Sequence, residues 1–412
     1  MLKKILAIAV IFICTSIAWM ILGGTLFART YVADSSLKNR VQRIWGGPQV
    51  QTAPRMNYTT EGTRQEETQI DGKTVTRTVK HTVTHFLPLM GSDIKAGLRL
   101  EHRQKGLLWY ATYAVRFSGA YQFQNNTGQD RLLTVSFPFP SQTSIYDGFT
   151  MTVRNSGWVR KPESADGQIN GVVLVRAGET VTVDVAYGSQ GMDRWSYRLT
   201  PTDKVAELRN FRLEIQTDFN AIDFPEDTIA ATHKERTTDG WRLTWRYTNL
   251  LSGANIGVHM PQKLQPGPLA AEISFFAPVS LFFFFVVMLV ITLVRRIELH
   301  PMHYFFLSSA FFAFHLLLAY LVDHVSIHLA FAAASLVSVA LVVSYLRIVT
   351  GARFAFVEAA TAQLVYLVLF SYAFFFRGFT GLAITLGAIL TLFVLMQMTA
   401  RIRWNEVFAK RA

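Results

Sequence analysis

The last third of the chain leaves the fewest options. From Ser274 to Ala400 apolar segments follow one another with almost no polar sequence between them: Ser274–Val294, Met302–Val322, Ile327–Ile348, Phe354–Phe376 and Phe379–Ala400. Each runs about 20 residues, enough to cross a hydrocarbon layer of roughly 30 Å as a helix. Backbone polar groups in lipid must be satisfied within the segment, so the sequence predicts helices even where Phe and Val favour strand in water. A sixth apolar run, Ile5–Phe27, stands far away behind Lys3 and Lys4. It is longer than a usual signal-peptide core, and Leu26-Phe27-Ala28 is a poor cleavage site, so an uncleaved anchor is expected.

The cations then set an expected orientation. With the N-terminus inside, the cytoplasmic ends carry Lys3, Lys4, Arg295, Arg296, Arg347, Arg353, Arg401, Arg403, Lys410 and Arg411, whereas the short outer turns carry only Arg377. Positive residues are retained on the cytoplasmic side, so both termini are expected there and the long segment 29–272 on the periplasmic side. Trp19, Tyr304, Tyr320 and Trp404 lie near span ends, where amphipathic rings favour the interface. The expected division is an anchor over 1–28, an exported domain over 29–272, a five-helix bundle over 273–400 and a tail over 401–412.

Charge and cysteine content narrow the function classes. The formal charge is +12, but outside the membrane spans, their short loops and the chain ends it falls to 29 basic against 24 acidic residues. Much of the basicity is therefore topological, and no nucleic-acid partner is expected. The single cysteine, Cys14, lies inside the first apolar run. Neither an intrachain disulfide nor a thiolate metal set can form, so the exported domain must hold by core burial alone.

Within that domain, Ser36–Val50 reads as a short helix or turn ending in Trp45-Gly46-Gly47-Pro48-Gln49, and Thr52–Gly72 as a polar, mobile loop. From Lys73 the period is two. Val75, Val79 and Val83 share a face with Arg77 and His81, and strands are predicted at Ile94–Leu100, Ala111–Phe117, Tyr121–Phe123, Leu132–Phe137, Phe149–Arg154, Gly171–Val175, Thr180–Tyr187, Trp195–Leu199, Asn210–Thr217 and Trp241–Tyr247. Asp71-Gly72, Asp147-Gly148, Asp166-Gly167 and Asp239-Gly240 mark expected hairpin turns. The fold class is thus mixed: a six-helix transmembrane protein with an antiparallel β-sandwich-like exported domain inserted between the first and second spans.

Chemistry-bearing motifs are missing from the sequence. It contains no Gly-x-Ser-x-Gly elbow, no His-Glu-x-x-His and no phosphate-cradling glycine loop, so no catalytic residue, cofactor or metal site is assigned and no enzymatic activity is expected. His81 and His85 lie four apart, which on a strand places them on one solvated face.

Three stretches carry a family resemblance. They are Trp45-Gly46-Gly47-Pro48-Gln49; Phe86-Leu87-Pro88 followed by Leu100-Glu101-His102-Arg103-Gln104-Lys105-Gly106-Leu107, with Tyr113, Gly119 and Phe123; and Glu298-Leu299-His300-Pro301-Met302-His303-Tyr304, continuing through Asp323-His324 to Leu329–Ser335. In this order the chain resembles the CreD family of bacterial inner-membrane proteins. The resemblance implies a cell-envelope role linked to integrity and stress tolerance, with no established enzymatic activity or ligand. Trp45, Gly46, Gly47, Pro48, Gln49, Arg103, Gly106, His300, Pro301 and Tyr304 are the positions it singles out. Val322-Asp323-His324 stands where the family has Ser-Glu-His, and His315 where an aromatic residue is usual.

Ionisable groups inside a membrane are costly and so are functional candidates. His300 and His303 flank Pro301 and are expected to cap the third span. His315 near mid-span is expected to make an interhelical hydrogen bond; the sharper alternative is a relay with Gln363, Tyr366 or Gln397. Asp323, His324 and His328 at the outer turn form either a solvated turn or a cation- or pH-sensing point. Glu358 is expected to pair with Arg353 or Arg347, and Gly378, Gly381 and Gly387 with Ala383 and Ala388 to offer small faces for helix packing. The expected partners are the lipid bilayer and an envelope protein or glycan, with oligomeric state left open. A small transporter or lipid-handling protein using the bundle interior is the alternative function.

Overall fold

The computed structural model describes residues 2–70, 73–106, 108–200, 205–376 and 378–400. The chain divides into two compact units, Met1–Leu37, Gln104–Trp109 and Leu264–Ala412 in one, Lys38–Arg103 and Tyr110–Lys263 in the other.

The first unit is helical. Helix α1 runs Leu2–Trp45 and is followed, after the β domain, by α2 (Pro266–Arg295), α3 (Pro301–Leu321) and α4 (Ile327–Thr350). The bundle closes with α5 (Phe354–Phe375) and α6 (Thr380–Thr399). All six are long and apolar enough to cross a membrane. Proline stands at the first helical position of both α2 and α3, where its missing N–H leaves no intrahelical bond unmade. α5 is not a regular helix: Phe354–Ala359 and Leu364–Leu369 are π-helical. The wider turn displaces the ladder, and the Tyr366 carbonyl accepts a bond from Ser280 Oγ of α2. Leu281, Phe284, Met288, Phe311, Phe314, Ala334 and Leu367 fill the bundle core.

Trp19 and Tyr304 are fully buried, Trp19 edge-on to Phe312 and Tyr304 edge-on to Phe285, so both rings pack between helices. Tyr320 is exposed. Trp404, Arg377 and the tail cations Arg401, Arg403, Lys410 and Arg411 lie outside the described residues, as do Leu107 and the turn Asp71-Gly72.

The second unit is a β domain of three sheets. Seven strands lie in the order β13-β14-β12-β4-β5-β10-β7, five in the order β3-β2-β6-β9-β8, and three in the order β1-β11-β15. In sequence they are β1 (Gln49–Thr52), β2 (Arg55–Ile70), β3 (Lys73–Phe86), β4 (Leu89–Lys105), β5 (Leu108–Gln124), β6 (Arg131–Pro138), β7 (Tyr146–Arg154) and β8 (Trp158–Ala165). They continue with β9 (Gln168–Val175), β10 (Thr180–Met192), β11 (Arg194–Arg198), β12 (Ala206–Thr217), β13 (His233–Arg236), β14 (Trp241–Ser252) and β15 (Asn255–His259). Alternation builds the core directly. On β5, Tyr113, Val115, Phe117, Tyr121 and Phe123 are buried while Arg116, Ser118 and Gln122 face out. With Phe137, Trp195, Tyr197, Phe211 and Trp245 they form one contiguous apolar core, each large ring contributing about 2–3 kcal/mol through burial. That cluster explains how a domain without disulfides holds together.

Among the strand pairs of the described residues, β1 with β11 and β4 with β12 run parallel and the others antiparallel. Two local expectations need correction. Thr52–Gly72 is not a loop over its described residues: Arg55–Ile70 is one long strand, paired residue for residue with β3 from Asn57 to Ile70. Only Arg55–Asn57 pair onward to β6, so beyond Asn57 β2 has no second strand partner among the described residues. Along β2 itself the sequence Asn57–Gln65 carries no period-two apolar signal. The side chains of Val75 and Arg77 lie outside the described residues. Asp147-Gly148 is not a turn between strands but part of β7, at a bulge opposite Gly188 where the β10–β7 register shifts. Asp166-Gly167 does turn the β8–β9 hairpin, with φ of 53° and 71°, the left-handed pair that such two-residue turns require.

Candidate functional site

The stretch Trp45–Gln49 joins the end of α1 to the β domain. The helix stops at Gly46, whose N–H still reaches the Gln42 carbonyl while φ swings to +88°. A Cβ there would meet the Gln190 carbonyl oxygen and Ser144 Oγ at 2.5 Å, so only glycine fits. The Arg103 guanidinium lies 3.8 Å from the centre of the Trp45 ring and donates to Glu101 Oε2 at 2.8 Å. Gln49 is fully buried; its Nε2 donates to Ser189 Oγ at 2.8 Å and to the Gln190 carbonyl at 2.9 Å. Two residues on, buried Gln51 accepts from Tyr187 Oη at 2.7 Å. Lys38 on the last turns of α1 pairs with Asp193 at 2.9 Å.

Electrostatics follow burial. Burial opposes ionisation of Glu101, but Arg103 and Arg99 outweigh it and hold the carboxyl below its usual range. Burial pushes the phenols of Tyr113, Tyr121, Tyr187 and Tyr197 well up. Tyr146 is pushed up to about 12 by burial, against its hydrogen bond to Ser141.

A groove of about 600 Å³ crosses the outer face of the seven-stranded sheet. Gly97, Ala114 and Gly188 leave its floor open, Arg99, Arg116 and Gln216 rise from it, and Asp147 with Asp239 stand toward the two sheet edges, β7 and the β13–β14 turn. Sequence reading named none of these as a site, because polar residues on the outer face of a strand carry no signal beyond exposure. A second cavity, of about 570 Å³ and largely apolar, opens at another part of the same domain, beside Phe86-Leu87-Pro88.

In the helical unit the sequence-predicted polar residues are placed singly. His315 is buried and its Nδ1 bonds the Phe311 carbonyl of its own helix at 2.9 Å. This replaces the expected interhelical bond; its Nε2 has no hydrogen-bond partner among the described residues, and the ring packs edge-on to Trp19 and Phe314. Gln363 instead donates to Ser338 Oγ at 2.9 Å, which donates to the Ala310 carbonyl at 2.6 Å, and Tyr366 donates to Thr391 Oγ1 at 2.9 Å. Gln397 is exposed. No hydrogen bond among the described residues joins these groups to His315.

Asp323 pairs with Arg29 of α1 at 2.9 Å, while His324 and His328 are exposed, His328 with its ring 5.2 Å from Phe375. Among the described residues no cluster of three or more His, Cys, Asp or Glu could hold a metal ion. Glu358 pairs with Arg295 at 2.8 Å and not with Arg347 or Arg353, because the partner arrives from α2 and not from the neighbouring sequence. His300 Nδ1 accepts from Met302 N–H at 3.3 Å as the cap of α3, beside Pro301, and His303 bonds Tyr345 Oη at 2.7 Å. Gly106 turns the end of the β4 hairpin at φ +60°. Gly378, Gly381 and Gly387 have open space where a Cβ would stand, so among the described residues no helix packs closely on them.

The sequence profile of the inner membrane protein CreD matches residues 1–139 and 255–405, which takes in the Trp45–Gln49 stretch, Phe86–Pro88, the β4–β5 pair and all six helices. The chain belongs to the CreD family. It is an inner-membrane protein, and the profile is split around residues 140–254, which hold the strands from β7 to β14. No curated protein matches the chain. Among solved structures, it is similar to a "putative nutrient binding protein" of Legionella pneumophila, at 9% identity over 48% of this chain and 74% of that one, TM-score 0.30. It is also similar to native leukotriene A4 hydrolase of Saccharomyces cerevisiae, at 8% identity over 42% of this chain and 29% of the enzyme, TM-score 0.23. Scores this low establish neither fold nor function.

Proposed function

We propose that this CreD-family protein is a non-catalytic binding and relay module of the bacterial envelope. Residues 1–28 anchor it, 29–272 form a periplasmic domain that engages an envelope component, 273–400 form the membrane bundle, and both termini with the 401–412 tail are cytoplasmic. The cation distribution about the spans supports that orientation. The observation that carries the binding role is the groove across the seven-stranded sheet. Its floor is kept clear by small residues, and it offers hydroxyl, amide, guanidinium and carboxylate groups without the convergent acid, base and nucleophile that a hydrolytic site needs. The relay role draws on α1, a single helix from Leu2 to Trp45 whose end is tied by Trp45, Gln49 and Lys38 to β-domain strands. An occupant that shifts β10 moves Ser189 and Gln190, the groove residues that hold Gln49.

The test is site-specific photo-crosslinking in intact cells from Gln216 and Thr238, both exposed in the groove. A discrete envelope protein or glycan adduct from both positions, absent from Asp166 on the five-stranded sheet, is expected. Equal capture from all three positions, or none, would refute the groove as the binding face.

A further inference from the structure

The groove across the seven-stranded sheet has a floor that packing does not explain. Gly97 lies on β4 and Gly188 on β10, both interior strands of that sheet. Neither has a positive φ, and a Cβ would find its nearest neighbour at 4.0 Å from Gly97 and at 3.7 Å from Gly188, which is ordinary van der Waals contact. Glycine weakens a strand interior; where neither backbone conformation nor crowding demands it, it marks a place where something approaches the backbone closely.

Strand register shows what stands around the two glycines. Gln216 of β12 is opposite Gly97, Arg116 of β5 is opposite Gly188, and Gly188 is in turn opposite Asp147 of β7. The Arg116 carbonyl is the group nearest a Cβ at Gly97, so the row across the sheet reads Gln216, Gly97, Arg116, Gly188, Asp147. With neighbouring strands about 4.8 Å apart, each glycine opens a cell whose walls are about 10 Å apart at the backbone, one cell on either side of Arg116.

Arg116 stands free between them. It is exposed, and its side chain makes no hydrogen bond or ion pair among the described residues. The other guanidinium of the groove, Arg99, is held by Glu101 at 2.6 Å, and Asp218 accepts the Leu100 N–H at 2.8 Å. Asp147 and Asp239, toward the two edges, are exposed carboxylates without an ion pair among the described residues. The groove thus presents one unengaged cation at its centre and carboxylates toward both ends. A polyanion is repelled by those ends. A chain with one anionic group flanked by neutral hydrogen-bond donors is complementary: the planar guanidinium takes the anion through two parallel bonds, and hydroxyl groups donate to the carboxylates.

Sugar units meet the remaining requirements. The glycine Cα atoms, Ala114 and Ile145, the last 67% exposed, give C–H surface for the face of a pyranose ring, while Gln216 and Thr238 offer an amide and a hydroxyl to its rim. A pyranose advances a glycan by a length comparable to the strand spacing, so a glycan lying across the strands stays in step with them. A peptide in the same position would meet main-chain groups already committed to the sheet ladder, and its own N–H groups would go unmatched.

We propose that the groove binds a linear glycan carrying one acidic substituent, a carboxylate or a phosphate, between neutral sugar units, with that substituent on Arg116 and the rings over Gly97 and Gly188. The proposal rests on the reading of the groove as the binding face and names the chemistry of its ligand.

The experiment presents the full-length protein, in detergent micelles, to an array of bacterial surface oligosaccharides in which every carboxylate- or phosphate-bearing chain is paired with its carboxyl-reduced or dephosphorylated counterpart. At least one acidic oligosaccharide should bind at least ten-fold above its neutral counterpart, and whether it bears carboxylate or phosphate identifies the substituent. Arg116→Gln removes an exposed guanidinium that supports no other side chain and should bring binding down to the neutral level, whereas Arg116→Lys, which keeps the charge without the fork, should retain part of it. Gly97→Thr fills one cell at a position with room for a side chain and should lower binding at least ten-fold. Binding of no acidic oligosaccharide, equal binding of acidic and neutral partners, or acidic binding that survives either Arg116→Gln or Gly97→Thr would overturn the proposal. Crosslinking from Gln216 and Thr238 in cells separates it from the broader reading. A discrete protein adduct from both positions, with no oligosaccharide bound on the array, overturns the glycan and leaves the groove as the binding face; no adduct from either position, with array binding indifferent to Arg116→Gln, removes both.

Discussion

Replacing Gly46 with alanine tests whether the end of α1 is locked to the β domain by backbone geometry. Two costs add. A non-glycine residue held in left-handed backbone loses about 1–2 kcal/mol. The new methyl group would also stand 2.5 Å from Ser144 Oγ and from the Gln190 carbonyl oxygen. The serine can rotate away. The carbonyl cannot easily yield, since Gln190 sits on β10 opposite Ala114 of β5 and accepts the Gln49 Nε2 bond at 2.9 Å. Displacing it forfeits about 1 kcal/mol for that bond and a comparable amount for the disturbed ladder. The total is about 3–4 kcal/mol, a large share of the roughly 5–15 kcal/mol typical of a domain. Gly47→Ala is the control: its nearest neighbour would be 3.9 Å away and its φ is not positive, so its effect should stay within about 0.5 kcal/mol. Hydrogen exchange of the β5 and β10 amides in the detergent-solubilised full chain reads the difference. Protection should fall by on the order of 100- to 1000-fold in Gly46→Ala. Similar protection in the two variants would refute the argument.

Other expectations concern charge and pH. Glu101 has a lowered pKa in the folded state, so its stabilising contribution is present above roughly pH 4 and is lost as pH falls through the folded value. Glu101→Gln should therefore flatten the acid limb of β-domain stability in urea titrations, and an unchanged limb would count against the Arg99–Glu101–Arg103 cluster. Tyr113, Tyr121, Tyr187 and Tyr197 have raised values, so the unfolded chain ionises first and β-domain stability should decline above roughly pH 10. Tyr197→Phe should reduce that alkaline slope, measured by ultraviolet absorbance alongside unfolding. The Arg295–Glu358 pair should show a coupling of about 0.5–1 kcal/mol in a double-mutant cycle, whereas Arg353 with Glu358 should show none.

How much was legible in the sequence depended on how one-sided each segment's environment is. The six helices follow from apolar length alone, and the structure moves their ends by only a few residues except at α1, where polar Ser36–Arg43 continue the helix to Trp45, and at α2, which begins at Pro266, two turns before Ser274. Strands with one buried face, such as β5 and β10, announce themselves by alternation. β2 does not, because from Thr59 to Gln65 neither face is buried, and the short exposed strands β8 and β13 lack the alternation for the same reason. The parallel pairings of β1 with β11 and of β4 with β12 join segments far apart in sequence and leave no local mark. Gln49 was reachable only through the family motif: a glutamine after two glycines and a proline looks like a turn residue, and its burial depends on Ser189 and Gln190, some 140 positions away. The partner of Glu358 was misjudged because nearness along the chain stood in for nearness between helices. The groove and the apolar cavity are properties of how strands meet, which residue order does not display.

The partition of the chain across the membrane is the claim on which the rest depends, and cysteine accessibility measures it directly. Cys14 is the single native cysteine, so a Cys14→Ala background accepts single reporters at Thr238 on the β domain and at Arg296 after α2. With the outer membrane permeabilised and the inner membrane intact, an impermeant maleimide should label Thr238→Cys at once and Arg296→Cys only after lysis. Labelling of Arg296→Cys before lysis, with Thr238→Cys protected, would invert the topology and contradict the account.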